Sequence, residues 1–143
     1  MEAYPNAVHR LQGVTLLRLR LMAQREKVIK LRSRAENGTG GCGACFSGAS
    51  MEDRVIALVD AERRLRALKR AWRDEAASAS ALIDQSCGAE VARALKLIYL
   101  QGKRAPEAKH VLKLSDGEFT AALKEGLCRI EARLNAERSV NVL

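Results

Sequence analysis

The chain is poor in aromatic side chains, proline and histidine. Aromatic residues make up 3% of its 143 residues, and there are two prolines and two histidines. Strands of β-sandwiches and barrels draw on aromatic and β-branched residues, so the composition favours helices over those folds. Two histidines leave little material for acid–base chemistry near neutral pH. No phosphate-binding loop, dinucleotide fingerprint or nucleophile elbow is present. The composition predicts an all-α protein that is not an enzyme and has no cofactor or small-molecule substrate.

Long apolar runs are also missing from the sequence. No run reaches the roughly 18 residues that a transmembrane helix requires, so we expect no membrane partner. The first residues, Met1 to Pro5, lack a basic region followed by an apolar core, which a secretory signal would have. The expected location is therefore cytoplasmic, with reduced thiols.

Basic residues outnumber acidic residues. The chain has 25 Lys and Arg against 17 Asp and Glu, which gives a net charge of +8. Apolar residues make up 48% of the chain, a fraction too high for a disordered protein. A basic excess favours a polyanionic partner but does not determine the fold. By segment, the largest excess lies in residues 8–36 rather than in the last third of the chain.

The first periodic segment, residues 7–36, predicts one long helix. Its apolar positions repeat at alternating steps of three and four, which is a heptad pattern with one polar residue, Gln24. The positions are Val14, Leu17, Leu21, Gln24, Val28 and Leu31. Arg18, Arg25 and Arg32 recur at seven-residue steps and therefore share one helical face. They can either face phosphate or pair with acidic residues of a neighbouring helix, and the second alternative is favoured.

A second long helix is predicted for residues 50–86, after a glycine-rich loop at 37–50. Its apolar residues also follow a helical repeat, from Val55 to Ile83. Neither helix can bury its apolar stripe alone, so the simplest arrangement is a long, coiled-coil-like antiparallel hairpin over residues 1–86. Pairing of each stripe with a second copy of the chain stays open, because the periodicity cannot separate the two arrangements.

The last third of the chain predicts a small helix-turn-helix domain over residues 87–138. A short helix at 90–101 is followed by another that begins at Ala105, with proline at a favourable first-turn position. Ser115 and Glu118 form a capping box, which predicts the start of a third helix. That helix is predicted to end near Glu137, and residues 139–143 are predicted to be a tail. Cys128 of this helix is expected to be buried.

The loop contains a Cys-x-x-Cys pair, Cys42 and Cys45. A closed structural zinc site needs four ligands, so one pair is half of a site. The two other cysteines show no paired spacing. We therefore expect no metal site within one chain, while a site shared between two chains stays open.

Several segments of the last third resemble the region-four-like domain of sigma-70-type factors; they are Leu97–Lys103, Leu112–Ser115, Phe119 and Glu125–Ile130. The whole layout is similar to small phage and prophage regulators of the ArpU/RinA type, and Lys30–Glu36 and Ser50–Ile56 fit the N-terminal pattern of that family. The resemblance implies a DNA-binding transcription regulator in the bacterial host cell. Its implied partners are double-stranded DNA and RNA polymerase, with a homodimer as a further expectation.

The helix-turn-helix interpretation predicts a set of polar and basic residues that contact DNA: Lys103, Arg104, Lys109, His110, Lys113, Thr120, Lys124 and Arg129. The cations among them would hold phosphates, and Thr120 and Lys124 would contact bases. The chain departs from the family at Lys109, where Ala is usual, and at Lys113, where Gly is usual. The third helix also starts with acidic residues. The alternative is a helical protein–protein interaction module whose degenerate helix-turn-helix no longer binds DNA.

Overall fold

The computed structural model of the protein describes residues 3–36 and 51–142, and every regular element in these ranges is helical. The elements in chain order are α1 (Pro5–Glu36), α2 (Met51–Ser86), α3 (Ala89–Leu95), a π-helical turn (Lys96–Leu100), α4 (Ala105–Leu112) and α5 (Asp116–Val142). The predicted all-α fold class is confirmed for this part of the chain. The predicted loop at 37–50, with Cys42 and Cys45, lies outside the described residues. None of the described helices is both long enough and apolar enough to cross a membrane.

The two long helices pack against each other as a hairpin, as the heptad pattern predicts. Val14, Leu21 and Val28 of α1 are buried, and the polar position of the pattern, Gln24, is buried with them. The Gln24 amide nitrogen donates a hydrogen bond of 2.9 Å to the backbone carbonyl oxygen of Ala61 in α2. This bond satisfies a polar group that burial would otherwise leave unpaired.

Ion pairs join the two long helices at the edges of this interface. Arg32 of α1 lies 3.0 Å from a carboxylate oxygen of Glu62 in α2. Nearer the start of α1, Arg10 pairs with Glu75 and donates a further hydrogen bond to Ser78. The predicted pairing of the heptad arginines with acidic residues of α2 is therefore found for Arg32.

The internal packing divides the chain into two compact units. The terminal unit comprises Met1–Leu16 and Asp74–Leu143, and the hairpin unit comprises Leu17–Arg73. This grouping differs from the predicted domains, 1–86 and 87–138. The physical reason is that the first turns of α1 and the last turns of α2 pack with the C-terminal helices.

Hydrogen bonds tie distant parts of the sequence together within the terminal unit. The Asn6 side-chain amide and the Ala7 backbone N–H both donate to the Glu131 carboxylate, over distances of 2.8 and 2.7 Å. The Thr15 hydroxyl donates to the backbone carbonyl of Tyr99. The core of this unit contains fully buried aliphatic side chains from four helices: Leu11, Ile83, Leu95 and Ile130.

Two local features differ from the sequence predictions. The segment predicted as one helix, 90–101, changes from α-helix to a π-helical turn at Lys96, and Gly102 follows with a positive φ of 68°. At the other end, α5 continues to Val142 rather than ending near Glu137, so the predicted tail is helical through that residue. No glycine or proline follows Glu137 to end the helix.

Candidate nucleic-acid interface

The turn between α4 and α5 has the geometry of a Schellman motif. Lys113 follows the last residue of α4 and adopts the left-handed conformation, with φ 56° and ψ 42°. Its N–H donates to the carbonyl of His110, and the N–H of Leu114 donates to the carbonyl of Lys109. These two bonds satisfy carbonyl groups that the end of a helix leaves free. Three residues, 113–115, thereby separate α4 from α5.

The start of α5 is capped as the sequence predicts. The backbone N–H of Glu118 donates to the Ser115 hydroxyl oxygen over 3.3 Å. Because the chain turns sharply before this cap, α5 begins directly beside the end of α4.

A small apolar core fixes α4 and α5 against the preceding helical segment. It contains four buried residues, Ala94, Leu97, Ala108 and Phe119, with partly buried side chains around them: Ile98, Leu112, Leu114, Ala122 and Leu123. Phe119 is the largest of the fully buried side chains in the described chain. Three helical segments and a tight turn around one core form a helix-turn-helix-like arrangement.

The predicted site residues fall into separate groups in the structure. Lys109, His110 and Lys113 line one open cleft at the turn, together with Asp116. Thr120 and Lys124 lie one turn apart on an exposed face of α5. Lys103 and Arg104 are exposed in the segment before α4. The structure therefore brings three of the predicted site residues together at the turn and has two more on the adjoining helix.

Arg129 does not share the exposed face of α5 with Lys124. At about 100° per residue it lies roughly 140° around the helix axis from Lys124. Its guanidinium pairs with Glu125, one turn earlier, at 2.6 Å. This residue is therefore separate from the other predicted DNA contacts.

An ion pair occupies the cleft at the turn. The Lys109 ammonium lies 2.8 Å from a carboxylate oxygen of Asp116 and 5.8 Å from the centre of the Phe119 ring. The hydrogen bond from Lys109, with its positive charge, lowers the pKa of the Asp116 carboxyl. Lys109 is consequently engaged within the protein. His110 and Lys113 are the exposed nitrogen-bearing side chains of the cleft.

Net charge is divided unequally between the two units. The terminal unit, which holds the helix-turn-helix arrangement, has 11 basic and 11 acidic residues and so no net charge. The hairpin unit has 14 basic and 6 acidic residues, which accounts for the entire +8 of the chain. The segment charges indicated the excess in α1, but only the packing shows that the terminal unit is neutral.

The cysteines of the described residues do not form a metal site. Burial raises the pKa of the Cys87 thiol, whose sulfur donates a weak hydrogen bond to the carbonyl of Gly126. Cys128 is exposed, so the expectation that it is buried was wrong. It lies about 180° around α5 from the face that contains Phe119 and Ile130. Within residues 3–36 and 51–142, no cluster of three or more His, Cys, Asp and Glu side chains could hold a metal ion.

No protein-family model matches this chain, and no curated protein or solved structure matches it at a significant level.

Proposed function

We propose that the protein binds double-stranded DNA through the helix-turn-helix arrangement of α4 and α5 and regulates transcription. The observation that carries the proposal is the capped, three-residue turn that starts α5 beside α4 and leaves Thr120 and Lys124 exposed. In helix-turn-helix proteins the second helix of the motif enters the major groove, with its N-terminal residues on base edges.

The exposed side chains divide into two roles in this proposal. Thr120 and Lys124 lie where a recognition helix contacts bases, and a lysine can donate to the guanine acceptors O6 and N7. His110 and Lys113 at the turn, with Lys103 and Arg104 before α4, are placed to contact phosphates. The phage or prophage setting and a partnership with RNA polymerase are proposed on the sequence resemblance alone.

The direct test compares sequence discrimination by the full chain and by Thr120→Ala/Lys124→Ala. A preferred duplex is first selected from a random pool with the wild-type chain, and binding to it and to an unrelated duplex is then measured by fluorescence anisotropy. Loss of a good base contact costs about 1–3 kcal/mol, so for the two contacts together we expect binding to the selected duplex only to weaken by at least about 30-fold. If no sequence is enriched, or the variant discriminates as well as wild type, the helix-turn-helix proposal is overturned.

A second variant in the same binding measurement replaces the Asp116 carboxylate. Asp116→Asn removes a negative charge at the start of α5 and releases Lys109 from its ion pair. Because like charge repels phosphate, this variant is expected to bind both duplexes more tightly than wild type. Glu90→Gln is the matched control: it removes one exposed acid from the first turn of α3, not from the turn before α5.

A second candidate function is a helical protein–protein interaction module, favoured by apolar side chains exposed on the hairpin unit. These are Leu19, Met22 and Ile29 of α1 and Met51, Val55, Ile56 and Val59 of α2. Burial of such residues would drive association with another protein. The two functions differ in salt dependence, because phosphate contacts weaken steeply as salt rises and an apolar interface does not.

A further inference from the structure

A row of cations runs along one exposed face of α1 in the hairpin unit. Arg20, Lys27 and Arg34 are exposed and recur at seven-residue steps. Two helical turns separate consecutive members, so the side chains share a face and lie about 10.5 Å apart along the axis. This row is distinct from Arg18, Arg25 and Arg32, which lie roughly 140–160° away around the helix.

A fourth cation joins this row from α2. Arg20 and Lys27 line an open cleft between the two helices, and exposed Arg64 of α2 lines its other wall. Gln24 also lines the cleft, and its hydrogen bond to the Ala61 carbonyl ties the two walls together. The cations are thus carried by a packed helical interface that holds their backbones in fixed positions. We call Arg20, Lys27, Arg34 and Arg64 the cationic row.

The charges of the cationic row are not neutralised within the described chain. None of its four members forms an ion pair with a described residue, whereas Arg32 pairs with Glu62. Asp60 is the acidic residue one turn before Arg64 on α2, and no ion pair joins them. All of the chain's net charge belongs to this unit, so the row lies in a strongly positive field.

We propose that the cationic row is a second DNA-binding site, which holds the phosphate backbone of duplex DNA without sequence preference. Cations repeated along a rigid rod suit a ligand whose negative charges repeat along its own axis. A lipid surface would favour large apolar side chains among the cations. Among the exposed large apolar side chains of α1, Met22 and Ile29 lie about 140–160° from Lys27 around the helix, and Leu19 lies about 80° away. Leu16, one turn before Arg20, is the only one of them on the face of the row, which is fewer than a lipid surface would favour.

The second site supplies the net positive charge that the terminal unit lacks. Because that unit is neutral, contacts at α5 contribute specificity, and the cationic row contributes the electrostatic part of the affinity. The choice of DNA rather than another polyanion rests on the proposed function; the phosphate-binding character of the row does not.

The test replaces the row and a matched set of cations in the same unit. The row variant is Arg20→Gln, Lys27→Gln, Arg34→Gln and Arg64→Gln. The control variant is Arg25→Gln, Arg63→Gln, Arg66→Gln and Arg73→Gln, which removes the same charge from exposed positions on other faces of α1 and α2. Circular dichroism checks that both variants remain helical, which is expected because all eight side chains are exposed.

Affinity for the selected and the unrelated duplex is measured between about 50 and 200 mM salt. Each phosphate neutralised contributes about 0.9 to the slope of log affinity against log salt, so the row variant should lose about 3 to 4 from that slope. Its affinity should fall about 30-fold or more at the lowest salt, equally for both duplexes. The control variant should keep most of the wild-type slope.

If the row and control variants lost DNA affinity and salt dependence equally, the proposal of a second site would be overturned, because the losses would show only a general effect of net charge. An unchanged slope in the row variant would overturn it as well. So would row-dependent binding to anionic phosphatidylserine vesicles or polyglutamate together with no binding to DNA. Failure of the helix-turn-helix proposal has a different signature: row-dependent binding to any duplex, with no sequence enriched and no effect of Thr120→Ala/Lys124→Ala.

Discussion

Lys113 carries backbone strain at the turn that places α5. A left-handed conformation costs a residue with a Cβ atom roughly 1–2 kcal/mol, and glycine is the usual residue at this position of a Schellman motif. The chain has a lysine at this position, and its side chain is exposed in the cleft with His110. In the proposed function, the cation compensates for the strain by contacting phosphate.

Replacement of Lys113 by glycine should therefore stabilise the fold and weaken DNA binding. We expect Lys113→Gly to raise the free energy of unfolding by about 0.5–1 kcal/mol, measured by urea denaturation. Lys113→Ala is the control, because it removes the charge and keeps the Cβ atom. A loss of stability in the glycine variant would show that the left-handed conformation is not strained.

Residue-level predictions succeeded where the signal was local. Ser115 caps α5 because a serine three residues before a glutamate forms its bond within one turn of chain. The pair between Lys109 and Asp116 could not be predicted, since it depends on how the turn orients the two helices. Cys128 was misplaced because the helix face that becomes buried depends on which neighbours cover it.

At the scale of elements, Gly126 of α5 lies against Val91 and Leu95 of α3. A Cβ atom on this residue would lie 2.5 Å from Cδ1 of Leu95 and 2.8 Å from Cγ1 of Val91. Leu95 is fully buried. A Cβ atom at position 126 therefore requires the Leu95 and Val91 side chains to shift.

Replacing Gly126 with alanine should change the free energy of unfolding in two opposite ways, through side-chain packing and through helix propensity. Gly126→Ala is expected to destabilise the protein by up to about 2 kcal/mol, because an overpacking cost of about 1–3 kcal/mol exceeds the roughly 1 kcal/mol that alanine gains in a helix. Gly13→Ala in α1 is the matched control, since nothing lies within 4 Å of a Cβ atom there. That variant should be stabilised by up to about 1 kcal/mol. A Gly126→Ala protein as stable as Gly13→Ala would contradict the close contact; thermal unfolding followed by circular dichroism measures both.

The two long helices could be predicted because the heptad pattern repeats over many turns, and the hairpin was the simpler of the two arrangements that the pattern allows. Val14, Leu21 and Val28 are buried as the pattern indicates. The packing of residues 1–16 with the C-terminal helices could not be predicted, because the same periodicity continues along α1 without a change at Leu17. The candidate DNA-contacting residues were harder to predict than the helices. Exposed positions have no periodic pattern that distinguishes a binding face from a face in contact with solvent.

On the scale of the whole molecule, the charge is distributed asymmetrically. All of the net positive charge belongs to the hairpin unit, and its cations repel one another while no polyanion is bound. Exposed ion pairs such as Arg32 with Glu62 offset little of this repulsion.

Added salt should therefore stabilise the free protein. Raising the ionic strength from about 10 to about 100 mM shortens the Debye length from about 30 to about 10 Å, which screens the repulsion. We expect the Tm from circular dichroism to rise, and to rise less in the row variant, whose net charge is halved. A Tm that falls with salt would mean that attractive ion pairs dominate the charge balance.

The bonds from Asn6 and Ala7 to Glu131 join residues that are more than 120 positions apart in the chain. During synthesis the first turns of α1 leave the ribosome long before their partner on α5 exists. Leu11 is fully buried in the terminal unit, and the rest of that unit, from Asp74 onward, is synthesised much later. The nascent chain thus presents apolar surface for most of its translation, when a chaperone can bind it and a protease can cut it.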